Sequence, residues 1–160
     1  KKMFLVLHES GIFITSCCHC FVLLVCDMLQ SGELAKYPLA LIDKILSVYG
    51  PNEGCAYDIG CMFSKMLSSS SLAPQVDELG FQMMVGAFHG HAHNQKCQLC
   101  WHPLHILSTR HSEGKGCEHI FSASNELAWS TRHASLFHWY QSIEEHFIFW
   151  DKDKYAALSA

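Results

Sequence analysis

The chain changes its hydrophobic rhythm several times, and each change predicts an element. Residues 11–17 (GIFITSC) and 20–28 (CFVLLVCDM) are apolar or β-branched runs around the short polar break Cys18-His19. Two such runs about a tight break predict an antiparallel hairpin over 11–28, ended by Ser31-Gly32. Pro38 opens a helical pattern in which Leu41, Ile45 and Val48 fall at i, i+4 and i+7, with Gly50-Pro51 as its stop. Residues 55–59 (CAYDI), within a segment 55–61, read as a short buried strand with Asp58 near its end. Residues 63–67 begin a helix that fades into the serine run 68–71, and 81–88 (FQMMVGAF) read as another apolar strand before a polar loop over 89–97.

The last third is helical in pattern. Cys117, Ile120, Phe121 and Ala128 make one face of a helix over 115–129. Leu136, Phe137, Tyr140, Ile143, Phe147 and Trp150 make a strong amphipathic stripe in a helix over 132–158. The order hairpin, helix, strand, helix, strand, helix, helix predicts an α/β fold, a mixed sheet with helices on its faces. No internal repeat is visible.

Composition narrows the class. The 160 residues are one domain's worth. With 49% apolar and 16% charged residues the chain is too hydrophobic to be disordered. No apolar run approaches the ~20 residues of a membrane span, and residues 3–7 are too short for a secretory core. Eleven Lys and Arg against fifteen Asp and Glu leave a net charge of −4. A free-standing DNA-binding domain shows a basic footprint, so any phosphate-neutralising surface is expected elsewhere in a longer protein. The opening at Lys1 and the stop within a helical pattern also suggest a piece of something larger.

Nine cysteines and twelve histidines stand out. Nine cannot all pair within one chain, so reduced thiols are expected. Cys17, Cys26, Cys55 and Cys61 read as buried small hydrophobes, and Cys17-Cys18-x-Cys20 as incidental.

Three places carry candidate chemistry. Asp58 at a buried strand end must be paired, hydrogen-bonded or holding a metal; otherwise it caps the next helix. Glu118, Ser122 and Asn125 fall at i, i+4 and i+7 and form a polar stripe suited to a hard cation such as Mg²⁺, with Gly114 and Gly116 allowing close backbone approach. The plainer account of Glu118 is favourable charge at a helix N-terminus. The third place is the motif over 89–102, with His89, His91 and His93 followed by Cys97, Cys100 and His102. Imidazole and thiolate together favour Zn²⁺. His89, His91 and His93 would share a side if that stretch were extended, and Cys97-x-x-Cys100 is a half-site without a second Cys-x-x-Cys. Such a loop can also simply pack and hydrogen-bond.

Four ordered stretches together carry a resemblance: 21–38 (FVLLVCDMLQSGELAKYP), 57–61 (YDIGC), 86–98 (GAFHGHAHNQKCQ) and 116–125 (GCEHIFSASN). The chain resembles the core of the Kyakuja-Dileera-Zisupton transposases, DNA transposon enzymes abundant in mushroom-forming fungi, out to residues 149–158 (FWDKDKYAAL). The resemblance implies a ribonuclease H-like core with an Asp-Asp-Glu triad binding Mg²⁺ or Mn²⁺. By position Asp58 matches the second acid and Glu118 the third, and the motif from His89 to Cys97 matches a family element between them. The first aspartate lies on an upstream strand, so the fold is entered incomplete, after its first strand. Asp27 matches a different family aspartate. The implied partner is transposon-end DNA in the full-length protein, in the nucleus, with no membrane and with self-association open. Two of three acids should bind metal weakly and cut nothing.

The departures suggest decay. Cys18, Gln30, His119 and Trp139 stand where the family tends to carry arginine, each one transition from an arginine codon, and glycine is usual where Cys20 stands. Two rivals remain: a non-enzymatic zinc-binding or interaction module derived from a decayed transposase, and a metal-dependent nuclease on the same fold.

Overall fold

The computed structural model describes residues 9–106 and 114–159. It is mixed α and β, and it divides into two compact units. One comprises the described residues up to Pro38 and those from Gly116 on; the other is Leu39–Lys115.

In the first unit β1 (Glu9–Ser16) and β2 (Val22–Leu29) form an antiparallel hairpin in which Ile12 faces Asp27 and Ile14 faces Val25. The turn closes through Cys20 N–H to Cys17 O and Cys17 N–H to Phe21 O, both 3.0 Å. Cys20 sits there at φ 65°. That is the left-handed region in which a Cβ is strained and glycine is not.

Helices α6 (Gly116–Ala123), α7 (Asn125–Thr131) and α8 (Leu136–Leu158) complete this unit. Ile14, Ile120, Ile143 and Phe147 make its buried centre, with Ile12, Val22, Leu127 and Trp150 packed against it. Gly116 starts α6 so close to β1 that a Cβ would lie 2.5 Å from Ser16 Oγ. The helix expected over 115–129 is broken at Ser124, whose φ and ψ of −89° and 3° leave helical geometry. Its hydroxyl donates to Ile120 O at 2.7 Å and lies 2.8 Å from His146 Nε2 on α8. Such side-chain bonds compete with the helical ladder.

The second unit takes up α1 (Lys36–Val48) from Leu39 on, with Leu41, Ile42, Ile45 and Leu46 buried along one face. Strand β3 (Gly54–Ala56) pairs in parallel with β4 (Gln82–Met84), Cys55 opposite Met83. Parallel strands need a crossover; here it is α2 (Gly60–Ser68) and α3 (Ala73–Leu79). Phe63 and Leu67 are the buried side chains of α2, which packs against β4. Then come α4 (Ala87–Gly90), α5 (Gln95–Trp101) and a 3-10 turn at Pro103–His105.

Three expectations are corrected. The described strands form two separate pairs, not one mixed sheet. Helix α2 does end in the serine run, at Ser68 with Ser69 as its C-cap, and Ser70 Oγ receives the Leu72 N–H at 3.2 Å just ahead of α3. The strand expected over 81–88 stops at Met84: Val85 N–H donates to Trp101 O at 2.9 Å, and Gly86 then caps α4. The polar stretch after it is helical in α4 and α5, not an extended loop.

Candidate metal centre

Asp58 lies just beyond the carboxyl end of β3, in the turn that enters α2. Tyr57 N–H donates to Met84 O at 3.0 Å and Gly60 N–H to Tyr57 O at 2.8 Å, which fixes the turn against β4. Gly60 rests on the Met84 carbonyl so closely that no Cβ fits between them. The Tyr57 and Phe63 rings meet edge to face at 5.6 Å. The Asp58 side chain is 64% exposed, not buried as its strand-like setting suggested, and its Oδ1 lies 3.4 Å from His89 Nε2 on α4. Nor does it cap α2, whose N-cap is Ile59 with no side-chain bond.

Three residues past Asp58, the chain turns from oxygen to sulfur chemistry. Cys61 Sγ lies 3.5 Å from His93 Nδ1, and His93 Nδ1 lies 3.2 Å from Cys97 Sγ. The three ligand atoms all fall within 4.8 Å of one another, so they could hold one metal ion. Two thiols and an imidazole are compatible with zinc. Local structure aims them. Asn94 caps α5 by accepting the Cys97 N–H at 2.9 Å, and Gln98 Nε2 donates to His93 O at 2.7 Å. His93 N–H donates to Gly90 O at 3.0 Å, which ties the link back to α4. Burial pushes the Cys97 thiol up to about 11, with a hydrogen bond and charge from Cys61 and the charge of Cys100 adding to it, while Lys65 opposes.

The other histidines go elsewhere. His89 turns to Asp58, and His91 lines a separate cavity of about 300 Å³ with His102 and His105. Cys61, which read as a small buried filler, supplies instead the third corner of the cluster. Periodicity could not reveal it, since a cysteine packs like any small apolar residue; its place at the start of the helix after Asp58 was the available signal. All nine cysteines are free thiols.

Glu118 is exposed in the first turn of α6, and Ser122 is exposed one turn on. Asn125 belongs to α7 beyond the break, so the polar stripe is interrupted. Asp58 and Glu118 belong to different compact units. The first unit holds a polar group that pattern reading passed over. Tyr140 donates to Glu9 Oε1 at 3.3 Å. Burial, then the Glu9 charge, raises the Asp27 carboxyl above its ordinary value, while the Tyr140 hydroxyl and the Trp139 indole beside it oppose this.

Compared with known protein families, the chain matches the Kyakuja-Dileera-Zisupton transposase over residues 1–151. It belongs to this family. The match spans both compact units and every residue of the Cys61, His93 and Cys97 cluster. Comparison with curated proteins and with solved structures finds no match. A transposase family implies DNA as partner and a divalent metal as cofactor, and no described helix is long and apolar enough to cross a membrane.

Proposed function

We propose that this chain is part of the catalytic core of a cut-and-paste DNA transposase with a ribonuclease H-like fold, acting in the nucleus on transposon-end DNA. The observation that carries the reading is the family match over 1–151. In this reading Asp58 and Glu118 are the second and third acids of an Asp-Asp-Glu set that holds Mg²⁺ or Mn²⁺. The donor chemistry fits. Both side chains are exposed carboxylates, and a hard cation that keeps part of its water shell prefers oxygen ligands it can reach. Asp58 also lies past the carboxyl end of a parallel strand, where sites form in open α/β sheets.

Divalent metal held by such carboxylates activates a water or a 3′-hydroxyl and stabilises the leaving oxygen in an in-line displacement at phosphorus. The contribution of the chain itself is placement. The backbone bonds of the Asp58 turn hold the carboxylate still, and His89 on α4 lies against one of its oxygens.

Calorimetric titration with Mg²⁺ or Mn²⁺ tests the assignment. Weak binding by the chain that is lost in Asp58→Ala supports it. Binding that ignores the substitution, or none, refutes Asp58 as a ligand.

A second reading has its own observation. The Cys61, His93 and Cys97 cluster suits a non-enzymatic zinc-binding or interaction module derived from a decayed transposase. Equal DNA binding by the chain and by Asp58→Ala, with no response to Mg²⁺ or Mn²⁺, favours that reading.

A further inference from the structure

We infer that Cys61, His93, Cys97 and Cys100 form a structural Cys₃His zinc site that clamps α2 to α5. The first three donors already converge within 4.8 Å from positions remote in sequence, Cys61 and His93 being 32 residues apart. Structural zinc is tetrahedral and takes four protein ligands, with Cys₃His among its usual sets. Helix α5 places Cys100 one turn beyond Cys97, on the same side of the helix. It is an exposed thiol, available to turn toward the ion.

The competing choices fit less well. His89 is committed to Asp58. His91 faces the cavity it shares with His102 and His105. His93, by contrast, has its Nδ1 between two sulfurs.

The clamp has a definite mechanical effect. Cys61 lies on the first turn of α2, directly after the turn that carries Asp58, while His93 and Cys97 lie on the link and helix that follow His89. One ion therefore ties together the two segments whose side chains meet as Asp58 and His89. Binding closes the loop between residues 61 and 93, which lowers the entropy of the unfolded chain more than that of the folded one. The site stands whether or not Asp58 and Glu118 serve as catalytic acids, because it uses neither.

The test is metal analysis of the untagged full chain, dialysed against excess buffer, together with Co²⁺ substitution. One zinc per chain is expected. The Co²⁺ form should show thiolate charge-transfer bands and the intense visible bands of a tetrahedral ion, and chelation should lower the thermal unfolding midpoint. Cys61→Ser and Cys97→Ser should each weaken zinc binding by at least about tenfold, since even outer-shell changes cost on the order of 10–100-fold. Cys100→Ser should weaken it as well and change the Co²⁺ spectrum. His91→Ala and His105→Ala should leave both readouts unchanged. The Co²⁺ spectrum of the unsubstituted chain keeps the test independent of whether any variant folds: a spectrum without thiolate bands overturns the site. So does zinc retained at full affinity in Cys61→Ser, or lost in His91→Ala. A Co²⁺ spectrum and affinity untouched by Cys100→Ser overturn the fourth ligand and with it the Cys₃His assignment.

Discussion

The indole N–H of Trp150 donates to the main-chain carbonyl of Cys20 at 2.7 Å, so α8 holds the turn of the β1–β2 hairpin directly. Asp151, the next residue, accepts the Val22 N–H at 3.1 Å just past that turn. Two adjacent side chains of one helix thus hold a tight turn of which Cys20 is the strained member. Trp150→Phe keeps the packing and removes the donor. It should destabilise the chain by about 1–2 kcal/mol, the cost of a partly buried carbonyl left without its bond. Urea unfolding followed by fluorescence or circular dichroism reads this directly.

Cys20 at φ 65° makes the opposite prediction. Cys20→Gly removes the clash between Cβ and carbonyl in the left-handed region, and should stabilise the chain by about 1 kcal/mol. Because the Trp150 bond uses the main chain of Cys20, it survives this change, so the two effects should be separable. A midpoint that falls in Cys20→Gly would contradict the strain argument.

Gly60 is a third test. Its substitution by Ala forces a Cβ onto the Met84 carbonyl, at the point where α2 starts against β4. Overpacking of this kind costs about 1–3 kcal/mol. Since Gly60 also closes the Asp58 turn, Gly60→Ala should reduce Mg²⁺ binding at Asp58 together with stability. Comparing titration with unfolding in this variant checks both.

Asp27 predicts a pH dependence. Its carboxyl is raised in the folded chain, first by burial and then by Glu9. Between the ordinary aspartate value, about 3.9, and the raised one, the folded chain binds more protons than the unfolded chain. Stability therefore falls as pH rises through this window. The favourable contribution is full below the ordinary value and lost above the raised one. Asp27→Asn should remove that loss, making the variant more stable than the parent at neutral pH, with the gap closing as pH drops toward 3.9. Unfolding midpoints measured across that range give the answer.

Trp139 extends the argument to the decay hypothesis. By the resemblance it takes the place of an arginine, and its indole lies beside Asp27 with the buried Nε1 making no hydrogen bond among the described residues. An arginine there would set a guanidinium beside the Asp27 and Glu9 carboxylates. Trp139→Arg should therefore lower the Asp27 carboxyl and flatten the pH dependence just described. An unchanged pH profile would count against Trp139 as a lost arginine.

Much of the local structure could be read from residues alone. The hairpin could, because two β-branched runs about Cys18-His19 have nowhere else to pair, and observed β1 and β2 lie within two residues of the expected ends. α8 could as an element, with Ile143 and Phe147 of its stripe buried, although Leu136, Phe137 and Tyr140 of the same stripe are exposed. The run 81–88 could not, because an unbroken apolar run shows no alternation that reveals its period. Its split into β4 and α4 depends on the Trp101 carbonyl taking the Val85 N–H, a bond made by residues far along the chain.

The candidate site divides in the same way. That His93 and Cys97 have metal-ligating chemistry, and that Asp58 stands by a strand end, follows from residue type and local spacing. Which histidine turns to sulfur and which to Asp58 does not. His89, His91 and His93 are equivalent by pattern, and α4 and its link send them to three different surroundings. Cys61 joins the cluster across 32 residues of chain. Residue chemistry and short-range periodicity are written in sequence, because they depend on neighbours a few positions away. The convergence of three ligands from two helices and a turn depends on how α2 packs on β4, and only the tertiary structure decides that.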